Sequence, residues 1–98
     1  MYAILTSKPG QYHAAPDDGA AVVETYEYRF CGRIKALYQV VEVDANTRVV
    51  ITEDAPPHIR NTVPAKFLEQ FDTVAEARAE LEHLVRFGNL DTRLDRVQ

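Results

Sequence analysis

Residues 22–54 read VVETYEYRFCGRIKALYQVVEVDANTRVVITED. This block lies within the longest proline-free run of the chain, 17–55, and its one glycine is Gly32. β-Branched and aromatic residues dominate it, the types that pack well on a pleated, half-buried surface. Val22, Tyr26, Tyr28 and Phe30 fall in one phase of a two-residue period, and Val23, Thr25, Glu27, Arg29 and Cys31 in the other. That alternation predicts a strand with one covered face. Glu24 is the one misfit, a carboxylate standing in the apolar phase. Cys31-Gly32 predicts a hairpin turn, because glycine takes positive φ without steric cost.

The next strand is expected over Arg33–Asp44. Ile34, Ala36, Tyr38 and Val40 share a phase, and then Val41 and Val43 become the apolar positions. The change of phase predicts a bulge near Val40-Val41. Asp44-Ala45-Asn46-Thr47 reads as a hairpin loop, with Asp opening the turn and Asn tolerating left-handed backbone. Arg48–Glu53 then returns as a strand.

Outside this block, Tyr2–Ser7 (YAILTS) is a further β-prone run. Residues 9–21 hold two prolines and two glycines with no visible period, and Pro16-Asp17-Asp18-Gly19 suits a type I turn. They read as a long loop, and long loops are functional or mobile. Pro56-Pro57 ends the sheet by removing donors, and 58–62 reads as a connection. Pro64 suits a first helical position. Phe67, Leu68 and Phe71 would then share one apolar face of a short helix. Thr73-Val74-Ala75-Glu76 reads as a capping box. Val74, Ala77, Leu81, Leu84 and Val85 form the stripe of the main helix, Glu82 and Arg86 a favourable i,i+4 pair, and Gly88 its end.

These elements predict an α+β fold: an antiparallel sheet of about four strands (β-loop-β-β-β) with one main C-terminal helix packed on one face. Residues 1–88 form the expected domain. Residues 89–98 are a charged tail in which Leu90, Leu94 and Val97 have helical spacing, readable as a short helix or as an unordered end.

At 98 residues and a formal net charge of −4, the chain suits one soluble domain able to bury its own core. The acidic balance argues against nucleic acid as partner. The single cysteine, Cys31, excludes an internal disulfide and a four-cysteine metal or iron–sulfur site within one chain. MYAILTSKPG has no basic segment leading an apolar run, and no apolar run reaches the ~18 residues of a membrane span. The chain is read as complete, cytoplasmic and not a membrane protein.

No phosphate-cradling, GxSxG or HExxH pattern occurs. His13, His58 and His83 have no ligand spacing, so neither a metal nor a cofactor is expected. Two sets of residues remain. Arg29, Arg33 and Lys35 make a basic spot on an acidic chain, suited to a protein partner or to self-association. Tyr12, His13, Tyr26, Tyr28 and Tyr38 would line a small-molecule pocket between the aromatic sheet face and the helix, gated by loop 9–21. The first set points to a non-catalytic accessory or interaction module. The second is the alternative, a ligand-binding protein or simple enzyme.

Overall fold

The computed structural model describes residues 1–17, 21–85 and 92–98. Its strands are β1 (Tyr2–Ser7), β2 (Tyr12–Pro16), β3 (Ala21–Phe30), β4 (Arg33–Glu42), β5 (Arg48–Glu53), β6 (Arg60–Pro64) and β7 (Thr92–Arg96). A 3₁₀ turn (Ala65–Phe67) and one α-helix, α1 (Val74–Leu84), lie between β6 and β7. The fold is α+β, with antiparallel pairing throughout. The expectation of one sheet of about four strands is corrected. The described residues form two sheets, of order β1-β4-β3-β7 and β2-β5-β6. No helix among the described residues is long and apolar enough to cross a membrane.

The four expected strands are all present, but β5 leaves the sheet of its predecessor. Asp44-Ala45-Asn46-Thr47 is therefore a corner between sheets and not a hairpin. Asp44 Oδ1 accepts from the Asn46 amide at 2.8 Å, and the Asp44 amide donates to Thr47 Oγ1 at 2.9 Å. These bonds close the corner with side chains because no strand ladder does so. Part of the expected loop 9–21 is strand β2, and part of the expected connection 58–62 belongs to β6. Both strands are short and weakly alternating. β5 is paired on both edges by them. Residues 92–96, read as helix or unordered tail, form edge strand β7 on β3.

The larger sheet is covered on both faces, which explains the phase change in β4. Val41 packs with Ala3, Leu5, Ala14, Val43, Val49 and Ala65, against the smaller sheet. Val40 packs with Tyr26, Ala77 and Leu81, under the helix. The expected bulge is on the partner strand instead. Val22 pairs with Val41 and Glu24 with Val40, so Val23 is the extra residue. Val22 thereby joins the core of the smaller sheet, and does not share a face with Tyr26 as a strict period would require. A second irregularity leaves Lys35 unpaired between Ala36 and Ile34.

Cys31-Gly32 is the two-residue hairpin turn, with Phe30 paired to Arg33. Both turn residues have positive φ, 50° and 79°, as a type I′ turn requires. Cysteine is poorly suited to that region, where asparagine is tolerated. Cys31→Asn is expected to raise stability by about 0.5 kcal/mol, read as a higher urea midpoint at unchanged slope. An unchanged or lower midpoint would show that this turn carries no strain.

The α1 cap is a variant of the expected box. Thr73 Oγ1 accepts from the Glu76 amide at 3.1 Å, while Glu76 Oε2 accepts from the Asp72 amide at 3.0 Å, one residue earlier than expected. Ala77 and Leu81 are the buried residues of the stripe. Phe67, Leu68 and Phe71 share no face: Phe67 is 72% exposed, Leu68 joins one core and Phe71 the other. Pro64 both ends β6 and stands as the N-cap of the 3₁₀ turn, one position before the first helical place expected for it. The turn through Asp18 and Gly19, the Glu82–Arg86 pair, the helix end at Gly88 and Leu90 lie outside the described residues or depend on residues that do.

Candidate functional site

The expected basic spot is partly neutralised. Arg29 Nη2 lies 3.1 Å from Glu27 Oε1, and its Nε 3.7 Å from Asp95 Oδ2 on β7. Lys35 Nζ stands 6.0 Å from the Phe30 ring centroid, and Arg33 is exposed at the hairpin. The expected ligand set is divided. Tyr26 and Tyr38 belong to the core under the helix, and Tyr28 meets Tyr38 edge-on at 6.3 Å. Burial raises the hydroxyl pKa of both Tyr26 and Tyr38. Tyr12 stands on the smaller sheet. His13, beside it, is exposed and donates from Nδ1 to Asp54 Oδ1 at 2.9 Å. The space between the aromatic face and α1 is occupied by Tyr26, Val40, Ala77 and Leu81.

Tyr12 instead lines a cleft beside β1. In an antiparallel ladder, alternate residues of a strand direct their backbone groups to opposite neighbours. Tyr2 exchanges two 2.8 Å hydrogen bonds with Phe71, and Lys8 bonds with Tyr12 at 2.9 and 3.0 Å. Both are away from β4, so the even-numbered residues of β1 face outward. Ile4 and Thr6 lie between these two clasps. Their amides and carbonyls have no backbone or side-chain partner among the described residues. The chain diverges here on both sides. β2 crosses to the smaller sheet, guided by the Ala14 amide donating to Ser7 Oγ at 2.9 Å. Among the described residues, the segment after the 3₁₀ turn makes backbone hydrogen bonds to β1 at Phe71, while Leu68 comes beside Ile4 and Thr6 through its side chain.

The open edge lies between two pockets. On the side of the smaller sheet, a cleft of about 400 Å³ is lined by Ile4, Thr6, Tyr12, Ile51, Val63 and Leu68, among others. On the helix side, a pocket of about 180 Å³ is lined by Ile4, Thr6, Leu68, Glu69, Phe71, Glu80 and Leu84. Ile4, Thr6 and Leu68 belong to both, so the two pockets are continuous around the edge. The unpaired polar groups of β1 thus border a solvent-open groove with largely apolar walls, where a further strand can pair with them.

The helix wall of this groove is held by a buried charge. Glu24 is 1% exposed. Tyr26 Oη donates to its Oε1 at 2.6 Å and Arg78 Nε to the same oxygen at 2.8 Å. Arg78 Nη2 donates to Oε2, and Arg96 Nη1 lies 3.1 Å from it. The fork of Arg78 holds the carboxyl pKa down at about 2, against the opposing effect of burial, with Tyr26 and Arg96 assisting. The same contact raises the Arg78 pKa. One carboxylate on β3 therefore ties α1 and edge strand β7 to the sheet. Arg78 and Arg96 were not anticipated. The available signal was Glu24 itself, a charge in an apolar phase that needs partners once buried.

No protein-family model matches this chain, and neither the curated proteins nor the solved structures give a match.

Proposed function

We propose that this chain is a small accessory module, without catalysis, that takes an extended segment of a partner protein onto the open edge of β1. The observation that supports it is the pair Ile4 and Thr6. Four backbone groups stand without partners in a groove with an apolar pocket on either side. A bound strand would satisfy those groups, and its alternating side chains would enter the two pockets in turn, which is the logic of β-augmentation. The clasps at Tyr2 and Lys8 limit the exchange to a short segment. A cytoplasmic location is part of the same proposal, and one exposed, unpaired cysteine suits a reducing compartment.

The test is selection of a random twelve-residue peptide library on the immobilised full chain. Recurrent sequences with apolar residues at every second position are expected. A Thr6→Pro variant is expected to bind them at least ~10-fold more weakly, the value of about one backbone hydrogen bond. Proline is tolerated where an edge amide faces outward, so the β1–β4 ladder survives. Thr6→Val keeps the amide and should bind within about 2-fold. Failure to enrich any sequence, or equal binding by Thr6→Pro, overturns the proposal.

The cleft of about 400 Å³ also favours the second reading, a small-molecule site. Its volume suits a compact apolar ligand, with the Tyr12 and Thr6 hydroxyls available for orientation. Such a ligand would compete with the selected peptides and would lose affinity in Thr6→Val as well as in Thr6→Pro, since both remove the hydroxyl.

A further inference from the structure

The two pockets beside β1 differ in chemistry, and the difference defines the occupant. The cleft on the smaller-sheet side has Ile4, Leu5, Ala14, Val49, Ile51 and Val63 in its walls and no charged residue among the described ones. The helix-side pocket has apolar walls, Leu68, Phe71 and Leu84, and two carboxylates, Glu69 and Glu80. Among the described residues neither carboxylate has a salt-bridge partner, and none of the described residues lining the pocket is a Lys or Arg. A strand laid on Ile4 and Thr6 sends successive side chains to opposite sides. One residue therefore meets a largely apolar cleft whose described lining carries no charge. The next meets an apolar channel that passes two negative charges.

We infer that the partner segment is an extended chain in which large apolar residues alternate with lysine or arginine. This inference rests on the strand-addition reading proposed above. A lysine or arginine fits the helix-side pocket because its aliphatic stem can lie on Leu84 and Phe71 while the cationic head reaches the carboxylates. An acidic residue there would face two like charges, which serves as discrimination against acidic segments. The net charge of −4 acts in the same direction at long range, drawing a basic segment toward the groove.

Three labelled nine-residue peptides test this by fluorescence anisotropy at low salt: alternating valine and lysine, valine and serine, and valine and glutamate. The lysine peptide is expected to bind at least 10-fold more tightly than the serine peptide, and the glutamate peptide more weakly than either. Raising the salt to ~0.5 M should shrink the advantage, since exposed charges are then screened. The double variant Glu69→Gln, Glu80→Gln should reduce the lysine-to-serine ratio below about 3-fold, through weaker binding of the lysine peptide. If the serine peptide binds, and binding falls in Thr6→Pro, while lysine adds nothing, the charge inference fails and the strand-addition reading stands. If none of the three binds, both are overturned. Unchanged lysine preference in the double variant also overturns the assignment to Glu69 and Glu80.

Discussion

Replacing Leu81 by alanine is expected to destabilise the protein by about 2–5 kcal/mol, the range for emptying a well-packed leucine site. Leu81 is 1% exposed and is one of the largest fully buried side chains. It packs with Ala77 over Tyr26 and Val40. Ala77 and Leu81 are the only fully buried residues of α1, and Ala77 already contributes the minimum of apolar surface. No second large anchor on the helix can absorb the loss, and collapse around the site is opposed by the paired strands beneath. A domain of this size shifts its Tm by about 4–8 °C per kcal/mol, so a fall of roughly 10 °C or more is expected in calorimetry. Leu84, 38% exposed on the same stripe, is the control, and Leu84→Ala should cost about 1 kcal/mol or less. Equal losses at the two positions would contradict the packing described. The Leu81 variant should also weaken peptide binding, because α1 carries Glu80 and Leu84 in the helix-side wall.

The second large effect is expected at Glu24. Glu24→Gln keeps the shape of the side chain and removes its charge, so the bonds from Arg78, Arg96 and Tyr26 lose their ionic assistance. Hydrogen bonds to charged groups contribute about 1.5–3 kcal/mol each. Both guanidinium groups are about half exposed, which screens their share, and a total loss of about 2 kcal/mol at pH 7 is expected. The pH dependence follows from the sign of the shift. The folded-state pKa of Glu24 lies at about 2, below the ordinary 4.5. Folding therefore favours the ionised form, and this stabilisation is fully present above pH 4.5. It is lost as the pH falls from 4.5 toward 2. The wild type should lose stability over that interval by an amount that the glutamine variant does not. The gap between their urea midpoints should accordingly narrow from pH 6 to pH 2.5. A gap that is constant with pH would mean that the Glu24 charge is not what holds α1 and β7.

The strands of the central block were legible because each is a local fact. β-Branched and aromatic residues in alternation specify a strand whatever its partner. The helix was legible for a similar reason, since Thr73, Glu76 and the stripe through Ala77 and Leu81 all lie within a few turns. Strands β2, β6 and β7 were not legible. YHAAP, RNTVP and TRLDR are short and lack a clear apolar alternation, and they hold strand conformation only because β5 and β3 offer them an edge. The candidate groove was equally hidden, because an open edge is a property of which strands fail to meet.

By itself, the amino-acid sequence determined the β3–β4 hairpin, the helix and its cap, and the presence of one charge at an apolar position. Tertiary structure alone decided the sheet to which β5 belongs, the two-sided burial that turns Val40 and Val41 to opposite cores, and the gap beside Ile4 and Thr6. It also decided the partners of Glu24, one of them 54 residues away along the chain. The physical reason is common to all of these. Strand and helix preference is carried by neighbours in sequence, whereas sheet order, burial of a carboxylate and an unfilled edge depend on surfaces meeting across the fold.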